Sequence, residues 1–150
     1  MVTAFNLVYS VAAVRRLLGL AHEAQVQIRE FFKVIWVWVQ GKRPTFISKA
    51  VFKAHFVEWR KAAARALAVT QNVFQPSIFS VRNETKNSAY QVQCFSGGLL
   101  CKCEDFKNQA QFFGKACCKH IYGVLGHLGF DSLQHYITAL GSGGYLRKAA

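Results

Sequence analysis

Residues 101 to 120 read Cys101-Lys-Cys-Glu-Asp-Phe-Lys-Asn-Gln-Ala-Gln-Phe-Phe-Gly-Lys-Ala-Cys-Cys-Lys-His120. A Cys-x-Cys pair opens the stretch, fourteen residues separate Cys103 from Cys118, and Cys118-Lys119-His120 closes it. All five cysteines of the chain fall between Cys94 and Cys118, a concentration that no ordinary core requires. Three thiolates and one imidazole form a standard tetrahedral set for structural zinc, because Zn2+ accepts soft sulfur and borderline nitrogen without preferring another geometry. Cys101, Cys103, Cys118 and His120 are therefore the candidate ligands of one zinc ion.

The spacing says how such a site is built. Residues two apart on a strand share a face, so Cys101 and Cys103 supply one half of a cage if the strand persists through Cys103. The other half comes from the start of the following helix, with Cys118 in the cap region and His120 in the first turn. Cys117 competes for the third place, since residues three apart on an unbroken helix share a face and residues two apart do not. Spacing alone leaves Cys117 and Cys118 both open. Cys94 reads as a packing residue, and His127 lies about 10 Å along the helix from His120, beyond reach of the same ion. His22, His55 and His135 read as core or rim histidines. Four protein ligands leave no open position for water, so the zinc is expected to be structural. Its binding, about 10 kcal/mol or more, would supply what a hairpin and a helix lack in apolar surface.

Outward from this stretch, the chain of 150 residues is long enough for one core, and 52% of it is apolar, so it should fold despite a net charge of +12. That charge attracts polyanions, nucleic acid first and an anionic membrane surface second. Five cysteines, two of them adjacent, do not suit a secreted disulfide framework and point to a reducing, cytoplasmic setting. Arg15-Arg16 before Leu-Leu-Gly-Leu-Ala is similar to a twin-arginine signal, but the apolar run stops at His22-Glu23, short of any membrane span.

In chain order, residues 4 to 20 read as a helix, and Ala24, Ile28, Phe31, Ile35 and Trp38 recur at helical spacing over residues 21 to 39. The end of that segment, Val34 to Val39, is apolar on every side and equally compatible with a buried strand. Ser48 can cap a helix running to about Leu67, with Lys49, Lys53, Arg60, Lys61 and Arg65 off its apolar stripe. Residues 1 to 68 hold eleven of the nineteen Lys and Arg and three of the seven acids, a net +8. Beyond Val69 the period becomes two, as in half-buried strands, and a two-residue Gly97-Gly98 turn would set Cys94 opposite Cys101 and Val92 opposite Cys103. Asp105 can cap a helix over Phe106 to Phe113, another runs from about Cys118 to Leu128, and Asp131 or Ser132 opens a last one. The expected fold is α+β: a basic α-helical region (1–69), a zinc module of antiparallel hairpin and helix with a C-terminal helix (70–140), and a flexible basic tail (141–150).

Tyr90-x-Val92 on a strand, then Cys101-x-Cys103-x-Asp105-Phe106, then Cys118-Lys119-His120-Ile121 opening a helix, resembles the SWIM-type zinc finger, whose pattern is Cys-x-Cys followed by Cys-x-His. The likeness covers residues 88 to 130. It implies a ββα zinc module and maps the ligands onto Cys101, Cys103, Cys118 and His120, choosing Cys118 over Cys117. The family includes transposases, helicase-like ATPases and recombination accessory factors, and its module is thought to bind DNA or proteins. Glu104 departs from the proline frequent after the second cysteine, and the doubled Cys117-Cys118 is a second departure.

Two classes of function follow. In the first, a nucleic-acid-binding module, with DNA favoured, neutralises phosphates through Lys49, Lys53, Arg60, Lys61 and Arg65 and through Lys102, Lys107, Lys115 and Lys119 around the finger. In the second, the stretch around Phe31, Trp36, Trp38 and Val39 docks a protein partner or a second copy. No phosphate-cradling Gly loop precedes a helix, and the seven acids show no paired-carboxylate or nucleophile arrangement, so neither an enzyme nor a small-molecule substrate is expected.

Overall fold

The run Val34-Ile-Trp-Val-Trp-Val39 resolves the first ambiguity. In the computed structural model, which describes residues 1–141, it is a strand whose side chains alternate, with Ile35, Val37 and Val39 buried and Val34, Trp36 and Trp38 half-buried. Consecutive β-branched residues lose side-chain freedom in a helix and pack well on a pleated surface. The single helix expected over residues 4 to 20 is two, α1 (Ala4–Val8) and α2 (Val11–Leu18). Ser10 causes the break, because its hydroxyl accepts the Ala13 N–H (3.0 Å) and starts a new helix. The helical spacing over residues 21 to 39 does not produce a helix either. It is split between β1 (Val26–Glu30) and β2 (Val34–Val39), which pair antiparallel, and β3 (Thr45–Ser48) adds to the other side of β2. Ser48 does cap the next helix, accepting the Ala50 N–H at 3.1 Å, and α3 runs Lys49–Ala64. The N-terminal region is thus a mixture of helices and a three-stranded sheet, not the helical region expected. Its core joins Ala13 and Val14 to Ile35, Val37, Val39 and Phe52.

The chain forms two compact units that divide inside α3, one ending at Trp59 and one beginning at Arg60. The second unit holds a four-stranded antiparallel sheet in sequence order, β4 (Ala68–Gln71), β5 (Ile78–Asn83), β6 (Ser88–Phe95) and β7 (Gly98–Cys101). Three helices follow, α4 (Glu104–Phe113), α5 (Lys119–Leu128) and α6 (Leu133–Gly141). Residue 69, expected to end the first region, lies within β4.

One face of this sheet, with Phe79, Val81, Val92, Cys94 and Leu99, packs on Ile121, Val124, Leu125 and Leu128 of α5 and on Tyr136 of α6. Gly123 faces the sheet, where an added Cβ would touch Val69 Cγ2 at 3.4 Å. The β6–β7 register differs from expectation by two residues. Ser96-Gly97 is the turn, Phe95 pairs with Gly98, and Val92 rather than Cys94 lies opposite Cys101. A slip of two preserves the faces, so Cys94 and Cys101 both still point inward. The strand ends at Cys101. Cys103 then becomes the N-cap of α4, its sulfur accepting the Phe106 N–H at 3.4 Å, in the role expected of Asp105. Gly114 and Gly129 end α4 and α5 with left-handed φ of 71° and 87°, and the Ser132 hydroxyl opens α6 by accepting the His135 N–H. The expected tail beyond residue 141 lies outside the described residues. Among the described residues no helix is long and apolar enough to cross a membrane.

Candidate metal centre

Three chain segments meet at one buried point: the end of β7 brings Cys101, the cap of α4 brings Cys103, and the start of α5 brings Cys118 and His120. Their ligand atoms all lie within 4.8 Å of one another, and all four residues are buried. His120 turns Nδ1 toward the sulfurs, 3.8 Å from the Sγ of both Cys101 and Cys118. A zinc ion at bond lengths of about 2.3 Å to sulfur and about 2.0 Å to nitrogen would place tetrahedral N···S edges at about 3.5 Å and S···S edges at about 3.8 Å. The four side chains fit that group with a contraction of about 1 Å or less.

The spacing of Cys118 and His120 works because Cys118 is not in the helix. It is the extended N-cap of α5 (φ −80°, ψ 171°), and its thiol caps no backbone N–H. The rule that residues two apart on a helix diverge therefore does not apply. Cys117 is left out, half-buried, with its backbone held by Gln109: its N–H donates to Oε1 (3.0 Å), and Nε2 donates to its carbonyl (3.4 Å).

Gln109 is itself buried and continues a chain of contacts. Its Nε2 also donates to Asp105 Oδ2 (3.1 Å), and Asp105 receives the Arg60 guanidinium on both oxygens, at 2.9 and 2.7 Å. Arg60 is 7% exposed. It is an interior ion-pair residue, its guanidinium taken up by Asp105 of α4 rather than turned to solvent where a phosphate was expected. Gln109 and Asp105 in these roles were not read from the sequence; their separation by four residues on a helix was the available signal. The Tyr90 ring lies against the imidazole of His120, centroids 4.7 Å apart, and covers the site from β6.

The electrostatics favour a cation. Hydrogen bonds from the Cys103 and Cys118 thiols pull Cys101 down to about 3. Hydrogen bonds to Cys101 and Cys103, followed by burial, push Cys118 far above the usual thiol range. Three sulfurs in so small a volume share negative charge at one member's expense, and a divalent ion would allow all three to be thiolates. The two cysteines outside the cluster are raised chiefly by burial, Cys94 to about 11 and Cys117 to about 12. His127 and His135 pack edge-on against Phe79 and Phe130, and His55 accepts the Arg16 Nε–H at 3.0 Å.

The remaining basic candidates differ in freedom. Lys49 is bound to Glu30 at 2.7 Å, and half-buried Lys61 sits 5.9 Å from the Tyr122 ring. Lys53, Arg65 and Lys102 are exposed, and Lys119 is half-buried.

Comparison with protein-family models, curated proteins and solved structures finds no match to this chain. Fold and site define the class on their own: an α+β protein with a buried Cys3His cluster suited to a metal ion.

Proposed function

We propose that this protein is a zinc-stabilised DNA-binding module whose ion is structural. The observation that carries the reading is the closure of the cluster: four buried protein ligands from three segments, with no place for a reacting water. When bound, zinc would staple β7, α4 and α5 together, and Cys101, Cys103, Cys118 and Nδ1 of His120 would hold it. The likeness of residues 88 to 130 to the SWIM-type finger supports the same reading, as does an arrangement in which β6, β7 and α5 surround the cluster. A net charge of +12, with exposed Lys102, Lys107 and Lys115 on the segments that carry the ligands, supports a polyanionic partner. Five free thiols suit a reducing, intracellular setting.

A mobility-shift titration of the zinc-loaded chain on single-stranded and on duplex DNA at 50 and 200 mM salt tests the partner. About four phosphate contacts predict a loss of about a hundredfold in affinity between the two concentrations. No shift at low salt, or an affinity indifferent to salt, would remove the DNA reading. Zinc absent from the folded protein would remove the metal reading.

A further inference from the structure

The outward face of the first sheet is unused by the metal-centred reading. Alternation on β2 sends Val39 into the core with Ile35 and Val37, and turns Trp36 and Trp38 the other way. The docking stretch expected from sequence is therefore split between two faces. The pairings set Arg29 of β1 and Phe46 of β3 on either side of Trp36, and Gln27 beside Trp38. Phe46 is 59% exposed, and Phe31 meets its ring edge-on at 5.9 Å. The Arg29 guanidinium stands 5.7 Å from the centre of the Trp36 ring. At the β1–β2 turn Phe32 is 88% exposed, with the Lys33 ammonium 5.9 Å from its ring. Trp36, Trp38 and Phe46 take no part in the apolar core of this unit.

We propose that this face binds single-stranded DNA, with bases stacked on Trp36, Trp38 and Phe46 and phosphates met by Arg29 and Lys33 and by Lys42 and Arg43 of the β2–β3 turn. The proposal rests on the nucleic-acid reading above and assigns it a surface. Charge selects the partner. Between residues 26 and 48 four cations face one acid, Glu30, and that acid is bound to Lys49 at 2.7 Å. A second copy of the chain would set like charge against like, and a neutral protein surface would leave the cations buried without partners. A nucleotide chain brings one anion with every base. A lipid surface would favour an unbroken apolar face, whereas Gln27, Arg29 and Ser48 interleave with these rings.

Spacing selects the single strand. Residues two apart on a strand are separated by about 7 Å, roughly twice the 3.4 Å rise per base of a DNA strand in duplex. Bases resting on Trp36 and Trp38 must therefore be splayed, which a duplex does not permit.

The test is fluorescence anisotropy of zinc-loaded, full-length protein with a labelled fifteen-residue oligothymidylate, a duplex of equal length, the matching oligouridylate RNA, and phosphatidylserine vesicles as competitor. The expected results are tighter binding of the single strand than of the duplex or RNA, quenching of tryptophan fluorescence, and little competition from the vesicles. Phe46→Ala should weaken binding by about 5- to 150-fold, the worth of one stacked base, and Phe46→Trp should restore it. Trp36→Ala should do the same where it folds; Phe46, exposed on an edge strand, decides the matter where it does not. Salt-sensitive DNA binding that Phe46→Ala leaves unchanged overturns this surface while the nucleic-acid reading stands. Equal or tighter binding of duplex or RNA, displacement by vesicles, or a concentration-dependent dimer blocked by Phe46→Ala also overturns it. Binding to no nucleic acid overturns both readings.

Discussion

Replacing Cys118 with serine, beside the same change at Cys117, is the sharpest perturbation the metal centre offers. Structural zinc contributes about 10–16 kcal/mol. Shared over four ligands, that is about 2.5–4 kcal/mol each, or a loss of about two to three orders of magnitude in affinity when one thiolate is removed. Cys118 carries one quarter of the cage, with its sulfur 3.8 Å from His120 Nδ1. Cys117 stands outside the cage, its backbone held by Gln109 and its thiol hydrogen-bonded to Tyr122, contacts that serine can keep, so its replacement should change zinc affinity by less than about threefold. The assay is competition against a chromophoric chelator, with metal content measured by mass spectrometry after dialysis. Wild type and Cys117→Ser should each retain one zinc per chain, and Cys118→Ser should lose it on dialysis. The opposite pattern would show that the N-cap geometry of α5 is wrong and that Cys117 swings into the cage.

Other expectations concern the surrounding structure. Gln109→Leu strips the Cys117 N–H of its partner and should cost about 1–3 kcal/mol in denaturant unfolding, with zinc affinity falling about 10- to 100-fold. Arg60→Met leaves Asp105 uncompensated; because the Asp105 side chain keeps 31% exposure, the loss should be about 2 kcal/mol, below the 3–5 of a fully buried pair, and a paired Asp105→Leu change should recover part of it. Cys94, raised by burial to about 11 from 9.0, adds stability below pH 9 that is lost as pH rises to 11, since the unfolded thiol ionises first. Guanidinium unfolding should show Cys94→Ala less sensitive than wild type across that window, by about 2–3 kcal/mol. Gly129→Ala, at φ 87°, should destabilise by about 1 kcal/mol, whereas Gly126→Ala, with nothing within 4 Å of the added methyl, should stabilise by a similar amount.

The ligand set was legible because coordination chemistry is written in residue type and local spacing. Cys101, Cys103 and His120 needed no knowledge of distant pairing, whereas Cys118 was preferred to Cys117 only through the SWIM-type resemblance, and the extended N-cap of α5 is what brings its sulfur to the others. The caps Ser48 and Ser132 and the stops Gly114 and Gly129 were legible for the same local reason. Residues 21 to 33 were not, and Val34 to Val39 stood open between helix and strand. Their apolar spacing fits a helix, and only the pairing of β2 with β1 and β3 turns it into alternation, so a non-local partner overrides the local pattern. Arg60 shows a related limit. On a basic helix it reads like Lys53 or Arg65, and its burial depends on Asp105, forty-five residues later.

The lysines inside the Cys-x-Cys and Cys-x-His pairs bear on both proposals, the metal and the polyanionic partner. Cys101 and Cys103 both turn inward, so Lys102 between them is exposed; Lys119, between Cys118 and His120, is half-buried. Three thiolates, one neutral imidazole and Zn2+ would sum to a net −1, so these two ammonium groups have two possible duties. They can offset the charge of the centre, or they can meet phosphate. Lys102→Gln separates the two. If Lys102 meets phosphate, the slope of log affinity against log salt falls by about 0.9 while zinc affinity holds. If it balances the centre, zinc affinity falls and the salt slope does not. The exposure of Lys102 favours the first outcome, because an ammonium group in water offsets a buried charge weakly. An unchanged slope with weakened zinc would refute that expectation and move DNA contact away from the ligand motifs.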